Sequence, residues 1–236
     1  MILTKVTISR HGGCWVSDAS ASFPLYSFRS MMINVQAVHS AVNLLIVPMD
    51  GKVDLDKELE IVGSLSRYRV AATKTSTAPN GVGLYSIEAR DVGQVEEVIR
   101  LLARQSEYRK ILFPEFQTLT AENGREECYF AANSKASQNR IGDMIGLNVG
   151  KKNMTMETLD DRVQPREIPF KVPCFFDEIF DRSTSELIKD VLSSSYHNAH
   201  GGNIDIGAKV KELAKKVPNA AWDLLVFIAA KSTLGL

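Results

Sequence analysis

The sequence predicts an α+β fold: a ferredoxin-like β-α-β-β-α-β domain with extra strands, followed by a small all-α helix-turn-helix domain. Three observations predict it. Residues 42–131 switch between period-two and period-3.6 apolar patterns in the order strand, helix, strand, strand, helix, strand. An extended stretch then carries Pro165, Pro169 and Pro173. The final residues read as helices alone. The 236 residues thus divide into an α+β sensor or assembly domain (1–133), a linker with a short helix (134–175) and a helix-turn-helix-like domain (176–236).

Residues 1–10 alternate as a strand, with Leu3, Val6 and Ile8 in buried positions. His11-Gly12-Gly13-Cys14-Trp15 ends it. Two glycines permit a tight turn that presents His11, Cys14 and Trp15 from one loop, which makes these three the candidate ligand-binding residues. The competing reading is a turn whose Cys14 and Trp15 pack into the core. A His and a Cys three apart can reach one ion, but a zinc site takes about four ligands and no second pair completes this one. No metal is expected there.

A second strand runs from Tyr26 to Val38, and Leu44-Leu45-Ile46-Val47 forms a central one. Asp54 caps a helix whose stripe is Leu55, Leu59, Val62 and Leu65. Arg67–Thr75 and Val82–Ala89 are strands joined by Pro79-Asn80-Gly81, strong turn chemistry. Asp91 and Gln94 open the second helix, with Val92, Val95, Ile99 and Leu102 as its stripe. Residues 109–118 and 126–131 form a strand pair around Glu122-Asn123-Gly124, and Pro114 favours an edge or a bulge in the first. The sheet then holds about six or seven strands, above the usual size. Ala136–Ile145 makes the short helix of the linker.

Lysine plus arginine equals aspartate plus glutamate, 28 each, so nucleic-acid binding requires a local patch rather than a global charge. No apolar run is long enough to span a bilayer, and the first residues lack the pattern of a signal peptide. Three widely spaced cysteines do not make a disulfide framework, and a cytoplasmic location follows. There is no phosphate-binding glycine loop, and Ser193-Ser194-Ser195 beside His197 lacks triad partners. The expectation is therefore a protein that is not an enzyme and carries no cofactor. His197, His200 and Asp205 form a weak metal pattern without a third firm ligand.

In the C-terminal part Ser183 and Glu186 form a capping box for a helix with Leu187, Ile188, Val191 and Leu192 on its apolar side. A polar loop, Tyr196–Asn203, precedes an amphipathic helix, Ala208–Val217, which Pro218-Asn219 breaks before a last helix, Ala220–Lys231. Lys209, Lys211, Lys215 and Lys216 cluster on the short helix and can hold phosphates; the competing reading is a solvated helix face. Residues 220–230 are apolar almost all round, which predicts burial, for instance in a dimer interface.

The Leu213-Ala214 pair with Val217 before the break, together with His11-Gly12-Gly13-Cys14-Trp15, resembles archaeal regulators of the bacterio-opsin activator type. That resemblance implies a sensor-like N-terminal domain and a C-terminal helix-turn-helix that binds double-stranded DNA. It implies that Leu213, Ala214 and Val217 pack the first helix of the motif on the second, and that Asn219, Trp222 and Asp223 face the groove. The DNA-binding set is then Lys209, Lys211, Lys215, Lys216, Asn219 and Trp222, in a homodimer that responds to a small-molecule ligand. The alternative is a small-molecule-binding or protein-interaction module whose C-terminal helices serve dimerisation.

Overall fold

The structure, a computed structural model, describes residues 1–9, 14–32, 41–78, 80–89, 111–112, 117–199 and 202–216. The chain forms β1 (Ile2–Ile8), α1 (Trp15–Ser22), β2 (Tyr26–Met32), β3 (Ala41–Pro48), α2 (Leu55–Ser64), β4 (Val70–Thr77) and β5 (Gly83–Ala89). It continues through β6 (Ile111–Leu112), β7 (Leu119–Glu122), β8 (Arg125–Ala132), α3 (Lys135–Val149) and β9 (Met154–Asp160). After β9 come α4 (Ile168–Lys171), α5 (Arg182–Ala199) and α6 (Gly207–Lys216). Mixed α+β is thus the observed class.

Eight strands lie in the order β4-β5-β3-β2-β7-β8-β1-β9, and the two-residue β6 pairs with β8 in line with β7. Every neighbouring pair is antiparallel. Because of that alternation β3 and β4 run parallel with β5 between them, joined through α2. In the same way β8 and β9 run parallel around β1, joined through α3. The sheet therefore has a split β-α-β unit at each end. The place beside β3 belongs to β2, which precedes the central block in sequence. The helix expected from Asp91 onward lies outside the described residues.

Local chemistry accounts for most of the boundaries. Asp54 accepts the Lys57 amide at 3.1 Å and starts α2. Ser134 accepts the Ser137 amide at 3.2 Å and starts α3, which at 15 residues is longer than the sequence pattern suggests. Asn123 (φ 48°) and Gly124 (φ 77°) are both left-handed, as a two-residue hairpin between β7 and β8 requires. For α5 the cap differs from expectation. Asp181, not Ser183, takes the Thr184 amide at 3.1 Å and its hydroxyl at 2.7 Å, while Glu186 turns outward to Arg182 at 2.8 Å. A carboxylate is the stronger acceptor for these donors, so it displaces the hydroxyl cap.

Strand alternation sorts the side chains onto two faces. The first face gathers Val6, Ile8, Phe28, Leu44, Ile46, Tyr85, Ile87, Cys128 and Phe130. Trp15, Val16 and Ala19 of α1, Ile61 of α2, and Ile141 and Ile145 of α3 cover it. The second face gathers Leu3, Met31, Leu45, Tyr129 and Ala131. One contiguous stretch covers that face: Val163, Ile168, Val172, Phe175 and Phe176, then Ile188, Val191, Leu192 and Tyr196 of α5 and Leu213 of α6. Residues 134–175, read from their prolines as a connection, thus supply a long helix, an edge strand and part of a core.

The orientation of α2 also departs from the periodic reading. Ile61 and Leu65 are buried, but Leu55 and Leu59 are 57% and 63% exposed, and Glu58, at 3%, points inward instead. The Tyr85 hydroxyl donates to Glu58, and Lys74 Nζ lies 3.4 Å from the same oxygen. Gly83 leaves room for this carboxylate: a methyl group there would overlap Glu58 and come within 2.8 Å of the Tyr85 ring. Burial and then the Glu58 charge push the Tyr85 phenol above its ordinary range, so it stays a donor.

Candidate functional site

The α5–α6 pair places the lysine cluster. α5 runs through Ala199, so Tyr196–Ala199 is helical and the connection is shorter than the sequence suggests. Asn198 clamps it from both sides: its amide nitrogen donates to the Ile204 carbonyl at 2.9 Å, and its oxygen accepts the Ile204 amide at 2.7 Å. The Gly202 amide donates to the His197 carbonyl at 3.0 Å, and a Cβ at Gly202 would overlap the His197 ring. That close approach requires glycine. His197 is therefore a packing residue of the turn. His200 lies outside the described residues, and no group of metal-ligating side chains occurs among the described residues.

Within α6, Leu213 is buried and Val210 half-buried against the second core, while Ala214 is exposed rather than packed. The opposite side carries the charges. Lys209 reaches Asp190 of α5 at 3.3 Å, and Lys216 reaches Glu212 at 3.2 Å. Lys211 and Lys215 are exposed and have no ion-pair partner among the described residues. Four apart on a helix, they project from one side with their Cβ atoms about 5–6 Å apart. Exposed pairs such as those of Lys209 and Lys216 are worth at most about 1 kcal/mol, so an incoming phosphate can exchange with them. Val217, Asn219, Trp222 and Asp223 lie outside the described residues.

Cys14 and Trp15, the described part of the candidate ligand loop, are in the first core. Cys14 occupies the position before α1, and burial, reinforced by the Glu126 carboxylate, pushes its thiol well above the usual range. Burial likewise pushes Cys128 and Cys174 up to about 12. These are neutral thiols, suited to packing rather than to nucleophilic or metal chemistry at neutral pH. His11 lies outside the described residues.

One feature had no sequence signal. An open cleft of about 560 Å³ lies between the ends of α1 and α2, lined by Ser22, Phe23, Glu60, Gly63, Ser64, Ser66 and Arg67. Its residues come from two separate places in the chain, 22–23 and 60–67, and no spacing rule joins them. None of the described helices is long and apolar enough to cross a membrane. No protein-family model matches the chain, and no curated protein matches it in sequence.

Proposed function

We propose that this chain is a cytoplasmic, homodimeric DNA-binding transcriptional regulator. The α5–α6 pair forms the first part of a divergent helix-turn-helix, and the lysines of α6 hold the phosphates of double-stranded DNA. The β3-α2-β4-β5 unit serves as the core of a ferredoxin-like sensor or assembly domain. The open cleft beside α2, with Arg67, Glu60 and three serine hydroxyls, is the place for a small polar ligand. Ligand acts by linkage: it shifts DNA affinity only by its differential affinity for two arrangements of the dimer.

The observation that carries this reading is the polarity of α6. Leu213 and Val210 anchor it to the core, and Lys211 and Lys215 stand on the exposed side with no ion-pair partner among the described residues. Packing explains the apolar positions of this helix and ion pairs occupy Lys209 and Lys216, which leaves Lys211 and Lys215 unexplained. A cationic helix face is what phosphate binding needs.

Purified protein is incubated with sheared genomic DNA, and the retained fragments are sequenced against a random-sequence control. Enrichment of a shared motif supports the regulator. Absence of any retained DNA at low salt, with a stable dimer in solution, leaves the alternative, a module whose C-terminal helices serve dimerisation.

A further inference from the structure

The apolar arc of α2 is wider than the sheet can cover. At about 100° per residue, Ile61, Leu65, Val62, Leu55 and Leu59 span roughly 160° of the helix circumference. The sheet takes the half with Ile61 and Leu65. The other half ends on Leu55 and Leu59, which are mostly exposed although the same helix places Glu58 in the core. Leu25 (74% exposed) and Met49 (58%), at the adjoining ends of β2 and β3, are exposed as well. Their loops are joined by the Met49 amide, which donates to the Leu25 carbonyl at 2.9 Å. Tyr26, next to Leu25, and Val62 of α2 pack against the same core.

We propose that Leu25, Met49, Leu55 and Leu59 form the centre of an isologous dimer interface, occupied by the same patch of a second copy of this chain. The inference rests on the dimeric reading above and names its surface. Area supports it: the four side chains expose on the order of 450 Å² of mainly apolar surface. A specific interface takes about 800 Å² from each partner, of which about 57% is apolar, so these four residues supply the apolar share by themselves. Charge complementarity supports a self-partner. Lys52 lies three residues before Leu55 and Asp56 follows it directly, and neither has an ion-pair partner among the described residues. A two-fold axis near Leu55 sets Lys52 of each copy against Asp56 of the other, the reciprocal pairing an isologous contact demands.

Sedimentation velocity over a concentration series tests this, with circular dichroism as the control for folding. The intact chain sediments as a dimer, and Leu55→Glu with Leu59→Glu raises the dimer dissociation constant by at least about a hundred-fold. Both positions are exposed, so the thermal melt is retained. Lys52→Asp and Asp56→Lys each weaken the dimer, and the two together restore it. A monomeric intact chain, a double-glutamate variant that stays dimeric, or a charge reversal without rescue overturns the proposal. A dimer through this surface that retains no DNA removes the regulator reading and leaves the interface standing.

Discussion

The two faces of the sheet are covered in different ways. On the first, α1, α2 and α3 each sit between two strands of the sheet in sequence, so each helix is held at both ends by the sheet it covers. Among the described residues the second face is covered mainly by the run after the last strand, from Val163 to Leu213, with Ala78 and Val82 of the β4–β5 connection beside it. Besides its apolar core that run is pinned by charge: Arg29 with Glu178, Lys171 with Asp160, and Lys189 with Asp177 at 2.7 Å. The first layer cannot leave without dismantling strands, whereas the second is attached by packing, by these ion pairs and by the short backbone bridge of Gln117 to Cys174, and is expected to loosen as a unit.

Truncation of one buried phenylalanine in each layer probes this contrast most strongly. Phe130→Ala on the first face and Phe176→Ala on the second each remove a fully buried ring, at a cost of about 3–5 kcal/mol. Hydrogen exchange separates them: Phe130→Ala accelerates exchange throughout the sheet, and Phe176→Ala confines the acceleration to residues 163–216. Uniform acceleration in both variants would mean that the layers unfold as one.

A smaller effect is expected at Gly83. Gly83→Ala drives a methyl into Glu58 and Tyr85 and costs about 1–3 kcal/mol in urea unfolding. In a Glu58→Ala background part of that penalty disappears, because the overlapping oxygen is gone and only the Tyr85 contact remains. Equal penalties in both backgrounds would place the strain elsewhere.

Acid sharpens the contrast further. Lysine 171 holds the Asp160 carboxyl below its usual range, the Gln164 amide does so for Glu167, and Thr184 for Asp181. All three acids lie in or beside the second layer. A carboxylate with a folded pKa below its unfolded value of about 3.9–4.3 stabilises fully above that value and loses the contribution as pH falls through the folded pKa. Acidification below about pH 4 therefore loosens residues 163–216 before the first layer, as hydrogen exchange at low pH would report. Asp181 is exposed and Asp160 and Glu167 are only half-buried, so the effect is modest. Simultaneous loss of both layers would contradict it.

Local rules made much of the fold legible. Asn123-Gly124 specified a hairpin, Asp54 a helix start, and the alternation of residues 1–10 a strand with Leu3, Val6 and Ile8 buried, though Leu3 lies on the face opposite to the other two. Other elements had no local signal. α1 reads Trp-Val-Ser-Asp-Ala-Ser-Ala-Ser, small residues without a stripe, and exists because Trp15, Val16 and Ala19 fit the first core. Periodicity located the apolar arc of α2 but not which neighbour covers it, so Leu55 and Leu59 read as core and Glu58 as surface. Only Gly83 and Tyr85, distant in sequence, reverse that. The lysine face of α6 was legible because charge opposite Leu213 and Val210 is a property of one helix; the cleft beside α2 was not, because its lining converges from separate elements.

The most direct test of the phosphate-binding face is the salt dependence of DNA affinity for the intact chain and for Lys211→Ala with Lys215→Ala. Each phosphate contact contributes about 0.9 to the slope of log affinity against log salt. The double variant is expected to bind more weakly on every sequence, with a slope shallower by about 1.8 and an unchanged thermal melt. An intact chain that binds no DNA at low salt, or a variant with the same slope, would contradict the assignment of α6 to DNA.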